Sequence, residues 1–403
     1  MSNLSMHKIS YLEGVRGFAA LQVVLVHYFL AFLPAHQCSR FWFCWAQALR
    51  EVYLFFPIDG YMAVSLFFIL SGYVLTKSFA RTRDQVAQNI FKRWVRLQIP
   101  VFFSLLIALV LLLLCGDAFL RAAELNDTVN WAQDFFVVPP TLGSFLKESF
   151  WVSLIAGYQG ISVFGGLGGP FFSGQESLDV PLWSLNIEFW GSILIIGLAW
   201  LRPKTTAHQM VLILCLGIFC MNSLVLFLVG HILACLEDEK FPRTLSLRRN
   251  ANWIGLLLVV LGILISTWRE DLMPPNIFVL LDSIVFFQAQ SPFHYIGMVA
   301  AIFIFIGIYI SPWLHRFFEL GVWQKLGKIS FAIYLLHFPI LLTITAWLQV
   351  QLDGFLGHLA GAVTAFILGL VLTFALATFF TKWLDEPAIR FSRFICNMKL
   401  SRR

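Results

Sequence analysis

The stretch LEGVRGFAALQVVLVHYFL, residues 12–30, places an arginine and a histidine in one apolar run. Arg16 and His27 are eleven residues apart, which on an α-helix is almost a whole number of turns. Both side chains therefore share one face, about 16 Å apart along the axis. If Arg16 lies at the water boundary, His27 falls near the middle of a hydrocarbon layer about 30 Å thick. An ionisable residue at that depth indicates function, with a histidine hydrogen-bonded between packed helices as the alternative.

The composition is that of a membrane protein. The chain has 403 residues, of which 59% are hydrophobic and 12% are charged, about half the charge of an ordinary soluble domain. Its net charge of +6 does not indicate nucleic acid, because lysine and arginine cluster in short loops between apolar runs. No cleavable signal peptide and no metal site are expected. Cys38 and Cys44 could pair if the first loop faces an oxidising compartment.

The apolar runs predict an all-α, polytopic membrane protein, with one membrane domain over residues 1–403. About ten membrane-spanning helices are expected, with both termini in the cytoplasm. Their predicted positions are 16–34, 60–79, 99–116, 184–201, 208–220, 222–237, 252–268, 294–311, 329–350 and 358–384. Two further apolar stretches, 145–166 and 277–290, are interrupted or short, and we expect them to be re-entrant or interfacial.

The charged residues favour an even number of spans. Lysine and arginine follow the second, fourth, sixth, eighth and tenth spans, and these sites share one side only if the count is even. The polar region 117–183 carries acidic residues instead and is expected to be an external loop. Its glycine-rich part, residues 157–175, lacks the Lys-Ser/Thr pair of a P-loop. We interpret it as a flexible or re-entrant loop, with a lid over an acceptor site as the alternative.

The loop after the second span is strongly basic. Its cations are Arg81, Arg83, Lys92, Arg93 and Arg96. The last three share a helical face next to Pro100, which permits a helix start or a kink. Because guanidinium groups suit phosphate oxygens, the cluster is a candidate polyphosphate site, with Ser71 of the second span as a nearby hydroxyl. A positive-inside anchor is the alternative.

Two later segments add polar residues to the membrane interior. The segment PLWSLNIEFW opens the fourth span with Trp183 and Ser184 and places Glu188 roughly one turn below them. A carboxylate there should be paired or lie in a wet cavity, although capping of the helix would also hold it. In the ninth span, Tyr334 and His337 lie three residues apart on one face and either serve packing or line a shared cavity.

These segments, in this order, resemble the acyltransferase family 3 membrane proteins, bacterial O-acyltransferases that modify surface carbohydrates. The similarity is carried by LEGVRG, FFILSGYVLT, the arginine-rich loop, PLWSLNIE, LGKISFAIYLLHFP and the terminal Glu386-Pro387, which we interpret as a helix stop. There are two departures. Glu13 stands where the family usually has aspartate, and Ser192 where it often has tyrosine.

The resemblance implies a stand-alone enzyme of the inner, cytoplasmic membrane. Its donor would be a cytoplasmic acyl-coenzyme A, commonly acetyl-coenzyme A, and its acceptor a hydroxyl of a cell-surface or lipid-linked carbohydrate such as polysaccharide or lipopolysaccharide. The expected partners are therefore the lipid bilayer, the acyl-coenzyme A and the carbohydrate. No permanently bound cofactor and no nucleic acid are expected, and the chain would act as a monomer or homodimer.

The candidate residues fit this chemistry. His27 would be the general base, with Arg16 and Glu188 as the other catalytic candidates, since an alcohol attacks a thioester poorly until its proton is removed. The basic cluster would hold the donor. The substrate-side candidates are Trp183, Ser184, Tyr334 and His337. Two other classes stay open: a proton-coupled secondary transporter using His27, Glu188 and His337, and a non-catalytic assembly or sensor protein.

Overall fold

A computed structural model describes most of the chain. The described residues are 10–32, 59–80, 82–158, 163, 173–203, 205–220, 222–238, 250–266 and 292–400. Throughout these residues every regular element is a helix, which confirms the all-α prediction. Cys38, Cys44 and the stretch 277–290 lie outside the described residues, as does most of the glycine-rich part of 157–175.

The first half of the chain contains four long helices joined by shorter ones. The helices are α1 Ser10–Phe32, α2 Gly60–Phe79, α3 Val86–Cys115, α4 Ala118–Leu125, α5 Val129–Ala132, α6 Leu142–Lys147 and α7 Trp183–Trp200. A π-helix, Glu148–Ala156, continues α6 without a break, and a 3₁₀ turn, Val180–Leu182, leads into α7. Gly157 has φ of 80° and ends the π-helix, so the helix that begins the stretch 145–166 ends at Ala156.

The second half begins with short apolar helices and ends with two long helical rods. The helices are α8 Thr206–Ile218, α9 Leu224–Asp238, α10 Ala251–Ser266, α11 Pro292–Ile310, α12 Pro312–Phe318, α13 Gly321–Ile340, α14 Ala346–Leu356, α15 His358–Phe380 and α16 Glu386–Leu400. The π-turn Leu341–Thr345 joins α13 to α14, and the π-turn Thr381–Asp385 joins α15 to α16.

Six helical stretches of the described residues are long and apolar enough to cross a membrane. They are Ser10–Phe32, Gly60–Phe79, Val86–Cys115, Val180–Trp200, Gly321–Leu356 and His358–Phe394. A seventh candidate combines α11 with α12, which meet at 100°. The apolar helices α8, α9 and α10 are shorter. An apolar helix thus occurs at each predicted position, while ten spans and two cytoplasmic termini stay predictions.

Two prolines lie within continuous helical segments. α3 begins at Val86 and continues through Pro100, so of the two alternatives at this proline the helix start is excluded. A break in the helix within an apolar environment would leave several backbone N–H and C=O groups without hydrogen bonds. A proline inside a continuous helix removes only one N–H donor, so the continuous helix is favoured. The helix stop expected at Glu386-Pro387 is also absent, because the chain stays helical to Leu400. There Pro387 is the second residue of α16, directly after a π-turn, where a missing N–H matters least.

Close helix packing brings the five site-forming helices together. α1 packs on α13 and α2, and α2 also contacts α7, α9 and α11, while α3 contacts α7 and α13. Glycine permits the closest approaches: a Cβ at Gly72 would overlap the backbone of Phe227, and one at Gly17 would overlap that of Trp323. Small residues allow backbones to approach in this way where lipid supplies little hydrophobic driving force. The bundle therefore places α1, α2, α3, α7 and α13 around one interior space.

Candidate active site

A cavity of about 140 Å³ lies between α1, α2, α3, α7 and α13. Along α2 its lining extends from Val64 to Leu75, which are eleven positions apart and therefore separated by roughly 16 Å along the helix. Its polar lining residues are Arg16, Ser71, Arg93, Arg96, Ser184, Glu188, Ser330 and Tyr334. We call the part formed by Arg16, Arg93 and Arg96 the arginine end, and the part formed by Ser184 and Tyr334 the tyrosine end.

Glu188 and Arg93 form a buried ion pair between α7 and α3. The carboxylate binds the Arg93 guanidinium and also accepts a hydrogen bond of 2.7 Å from the Ser71 hydroxyl. Arg93 Nε donates to Ser192 Oγ at 2.8 Å, one helical turn further along α7. The exposed fractions of the Arg93 and Glu188 side chains are 10% and 12%. Glu188 is thus paired, as the sequence predicted for a carboxylate at this depth.

The arginine end carries more positive than negative charge. Arg16, Arg93 and Arg96 lie close enough to repel one another, and the carboxyls that offset them are Glu188 and Asp385. Three guanidinium groups therefore face two carboxyl groups. Among the described residues, neither Arg16 nor Arg96 has an ion pair within 4 Å. A surplus of unpaired guanidinium charge beside a cavity is suited to an anionic ligand.

Hydrogen bonds hold the tyrosine end in place. The Tyr334 hydroxyl donates to the carbonyl oxygen of Pro181 and lies 2.6 Å from Ser184 Oγ. Because the only phenolic hydrogen goes to a carbonyl, the Ser184 hydroxyl is the donor of the second bond. The Phe67 ring lies edge-on to Tyr334, with centroids 6.4 Å apart. Contacts between helices therefore fix the side chains at this end of the cavity.

Behind Tyr334, the two predicted membrane histidines meet. His27 Nδ1 of α1 lies 3.1 Å from His337 Nε2 of α13. His337 is fully buried, whereas His27 is partly exposed, and the Phe338 ring lies edge-on to His27 with centroids 5.2 Å apart. The Tyr334 and His337 ring centroids are 5.8 Å apart. The pair thus adjoins the tyrosine end, although neither histidine belongs to the cavity lining.

The structure brings together most, but not all, of the residues predicted from the sequence. Those that line the cavity are Arg16, Ser71, Arg93, Arg96, Ser184, Glu188 and Tyr334. Five others are described but lie outside the lining: His27 and His337, which adjoin it, and Arg83, Lys92 and Trp183. Arg81 lies outside the described residues. The basic cluster therefore divides, and α1 supplies the third arginine of the site.

Sequence reasoning missed the roles of two residues. Ser192, which the sequence marks only as a departure from the family pattern, accepts a hydrogen bond from Arg93. Its position four residues after Glu188, on the same helical face, is the signal that could have indicated a shared partner. The second missed role is that of Asp385, because the interpretation of its segment as a helix stop assigns it no partner. An acidic residue at the end of a long apolar run could have indicated an electrostatic partner for Arg16 and Arg96.

An all-helical bundle with several membrane-length helices around an arginine-lined cavity is the architecture of a multi-pass membrane protein with an interior cavity. Residues 9–382 match the family described as an acyltransferase domain, and the chain belongs to that family. It is similar to the O-acetyltransferase PaAT-1 of Phomopsis amygdali, with 25% identity over 435 residues, covering 96% of this chain and 84% of that protein. No solved structure matches the chain. The protein is therefore an acyltransferase.

Proposed function

We propose that the protein is a membrane O-acyltransferase that moves an acyl group, specifically an acetyl group, from cytoplasmic acyl-coenzyme A to a hydroxyl of a cell-surface or lipid-linked carbohydrate. The family membership supports acyl transfer, and the O-acetyltransferase relative supports an oxygen acceptor and an acetyl group. The observation that carries the proposal is the cavity, which has surplus guanidinium charge at one end and a histidine pair adjoining the other.

The arginine end suits the phosphates of the donor. Arg16 and Arg96 supply charge that the nearby carboxyls do not fully offset, and Arg93 is held in place by Glu188. A phosphate placed there would reduce the mutual repulsion of the three cations. Between the two ends the lining is largely apolar, as in Phe68 and Leu185, and this suits a thin uncharged arm carrying the thioester.

His27 acts as the general base in this proposal. Its ring takes the proton from the acceptor hydroxyl while the oxygen forms a bond to the acyl carbon. The carbon–sulfur bond then breaks, and the departing thiolate of coenzyme A receives the proton held by His27. The ester and the free thiol are the two products, and the imidazole is restored without an added cofactor.

The position of Tyr334 adds one requirement. Tyr334 lines the cavity, whereas His27 lies outside the lining and against His337. In this proposal the acyl carbon passes Tyr334 to reach the base, with the two substrates on either side of the tyrosine end before reaction. The carbohydrate nature of the acceptor and the inner-membrane location rest on the sequence resemblance.

Transfer from radiolabelled acetyl-coenzyme A by the purified protein in lipid vesicles tests the proposal. We expect label to move to an isolated envelope glycan fraction, and we expect His27→Ala to lower kcat at least hundredfold because it removes the base. Donor binding should change little, since His27 does not line the arginine end.

His231→Ala is the matched control. His231 is a buried histidine that, like His27, has a cross-helix hydrogen-bond partner, here Thr76 and His208. Unlike His27, it does not adjoin the residues that line the cavity. Its loss should leave transfer within a few-fold of the parent. Undiminished transfer by His27→Ala would reject His27 as the base. Solute-dependent proton flux without any transfer would instead favour the transporter.

A further inference from the structure

The two membrane histidines form a hydrogen-bond chain whose direction is fixed at one end. His337 Nδ1 lies 2.7 Å from the Tyr334 carbonyl oxygen and 3.1 Å from that of Ile333. A carbonyl oxygen only accepts hydrogen bonds, so His337 Nδ1 carries the hydrogen and donates it. A neutral imidazole has a single N–H, and the Nε2 atom of His337 is therefore left as an acceptor.

The same reasoning fixes the His27 ring. Its Nδ1 atom lies 3.1 Å from His337 Nε2 and 2.9 Å from the Val23 carbonyl oxygen. Both neighbours are acceptors, so His27 Nδ1 carries the ring hydrogen. The Nε2 atom of His27 then holds the lone pair, and no hydrogen-bond partner for it occurs among the described residues.

We infer that His337 is a positioning residue that keeps His27 in the Nδ1–H tautomer, so that His27 Nε2 is the atom that takes the proton. This inference rests on the proposed function, and it gives His337 a role different from the substrate binding predicted from sequence. The bond to Val23 is local to α1, whereas the bond to His337 comes from α13 and fixes the ring relative to the site.

The surroundings of the pair support a fixed orientation. The Phe338 ring stands edge-on to His27 at 79°, and Phe135 in turn stands edge-on to Phe338. Rotation of the imidazole would disturb both contacts. After proton transfer to Nε2, the Nδ1–H of the imidazolium still donates to the neutral His337. The partner thus accepts from His27 both before and after proton uptake, as an orienting group in a catalytic triad does.

Nitrogen NMR of the full-length protein tests the tautomer directly. With ¹⁵N-labelled histidine in micelles, subtraction of the spectrum of His27→Asn identifies the His27 signals. We expect a protonated Nδ1 and an unprotonated Nε2 at neutral pH. In His337→Leu only the local Val23 carbonyl still accepts from Nδ1–H, and we expect the population of the other tautomer to rise. A protonated Nε2 in the parent protein would overturn the inference.

Enzyme kinetics provide a second, independent test. His337→Leu removes the acceptor, whereas His337→Gln keeps an oxygen close to the Nε2 position. We expect His337→Leu to lower kcat at least thirtyfold with the donor KM changed less than threefold, and His337→Gln to recover at least a third of the activity. Equal losses in the two variants, or a rise in KM that matches the fall in kcat, would contradict a positioning role.

Different results would reject His27 as the base and His337 as its positioning residue. If His27→Ala retains transfer, the proposed base is wrong and the inference falls with it. If His27→Ala is inactive while His337→Leu keeps the parent kcat, the base assignment stands and only the inference is rejected. Thermal melting of each variant separates a folding defect from either result, and the NMR measurement on the parent protein needs no His337 substitution.

Discussion

Two buried glutamates of this protein are held in opposite ways. Glu188, on α7, is bound by the Arg93 guanidinium and by one hydroxyl. Glu148, at the start of the π-helix that follows α6, accepts from the hydroxyls of Ser177 at 2.6 Å and Tyr158 at 2.9 Å, and from the backbone N–H of Leu178. Among the described residues no cation pairs with Glu148.

The charge of Glu188 is compensated by an arginine, whereas Glu148 has only neutral donors among the described residues and its charge responds to pH. Burial raises the pKa of Glu148 to about 7, although its neutral donors act in the other direction. Burial also raises the pKa of Asp179, and the charge of Glu148 adds to that effect. Both Asp179 carboxyl oxygens are buried without a hydrogen-bond partner. Glu188 therefore organises the arginine end through a fixed ion pair, whereas the Glu148 region changes charge near neutral pH.

The largest expected effect comes from removing the charge of Glu188. Glu188→Gln leaves the Arg93 guanidinium in a largely buried site without its carboxylate, and breaking such a pair costs about 3–5 kcal/mol. We expect this loss in the free energy of unfolding measured by denaturant titration in mixed micelles. Glu148→Gln at pH 5 is the matched control, since it replaces a protonated carboxyl and should cost about 1 kcal/mol. Equal losses would remove the distinction between the two glutamates.

The next effect concerns Arg16 and Arg96, the two arginines of the cavity that have no ion pair among the described residues. Arg16→Gln and Arg96→Gln should each raise the donor KM about tenfold, equivalent to about 1.4 kcal/mol of binding free energy, because each removes charge that faces the cavity. The acceptor KM should change less than twofold in steady-state transfer assays. Lys328→Gln removes an exposed cation of α13 and serves as the control. A parallel rise in both KM values would indicate altered folding rather than donor binding.

The sequence predicted which helices carry the important side chains better than it predicted the partners of those side chains. The position of α1 is predicted correctly because its apolar run is long. That Arg16 and His27 share one face of α1 follows from their eleven-residue spacing and from helix geometry alone. The contact between His27 and His337 spans 310 residues and depends on how α1 packs against α13, which no local pattern encodes. The helix stop predicted at Pro387 is wrong because local propensity favours a break there, whereas the surrounding bundle stabilises a continuous helix.

The smallest effect is a change of stability with pH that depends on Glu148. The pKa of Glu148 is about 7 in the folded protein, against an ordinary value of 4.5. Between these values the folded state keeps a proton that the unfolded state has lost, so stability falls as the pH rises from about 4.5 to 7. Above pH 7 the carboxyl is ionised in both states, and this contribution no longer changes.

Glu148→Gln should therefore flatten the dependence of the melting temperature on pH. The amide keeps the shape of the protonated carboxyl and has no charge to bury, so the variant should gain stability relative to the parent as the pH rises from 5 to 8. Asp179→Asn, which removes the neighbouring carboxyl, should flatten the remaining slope, because the raised pKa of Asp179 acts in the same direction. Melting curves at unit pH steps measure both changes. A parent melting temperature that rises between pH 5 and 8 would contradict the protonated state of Glu148, whereas unchanged slopes in both variants would place the titrating group elsewhere.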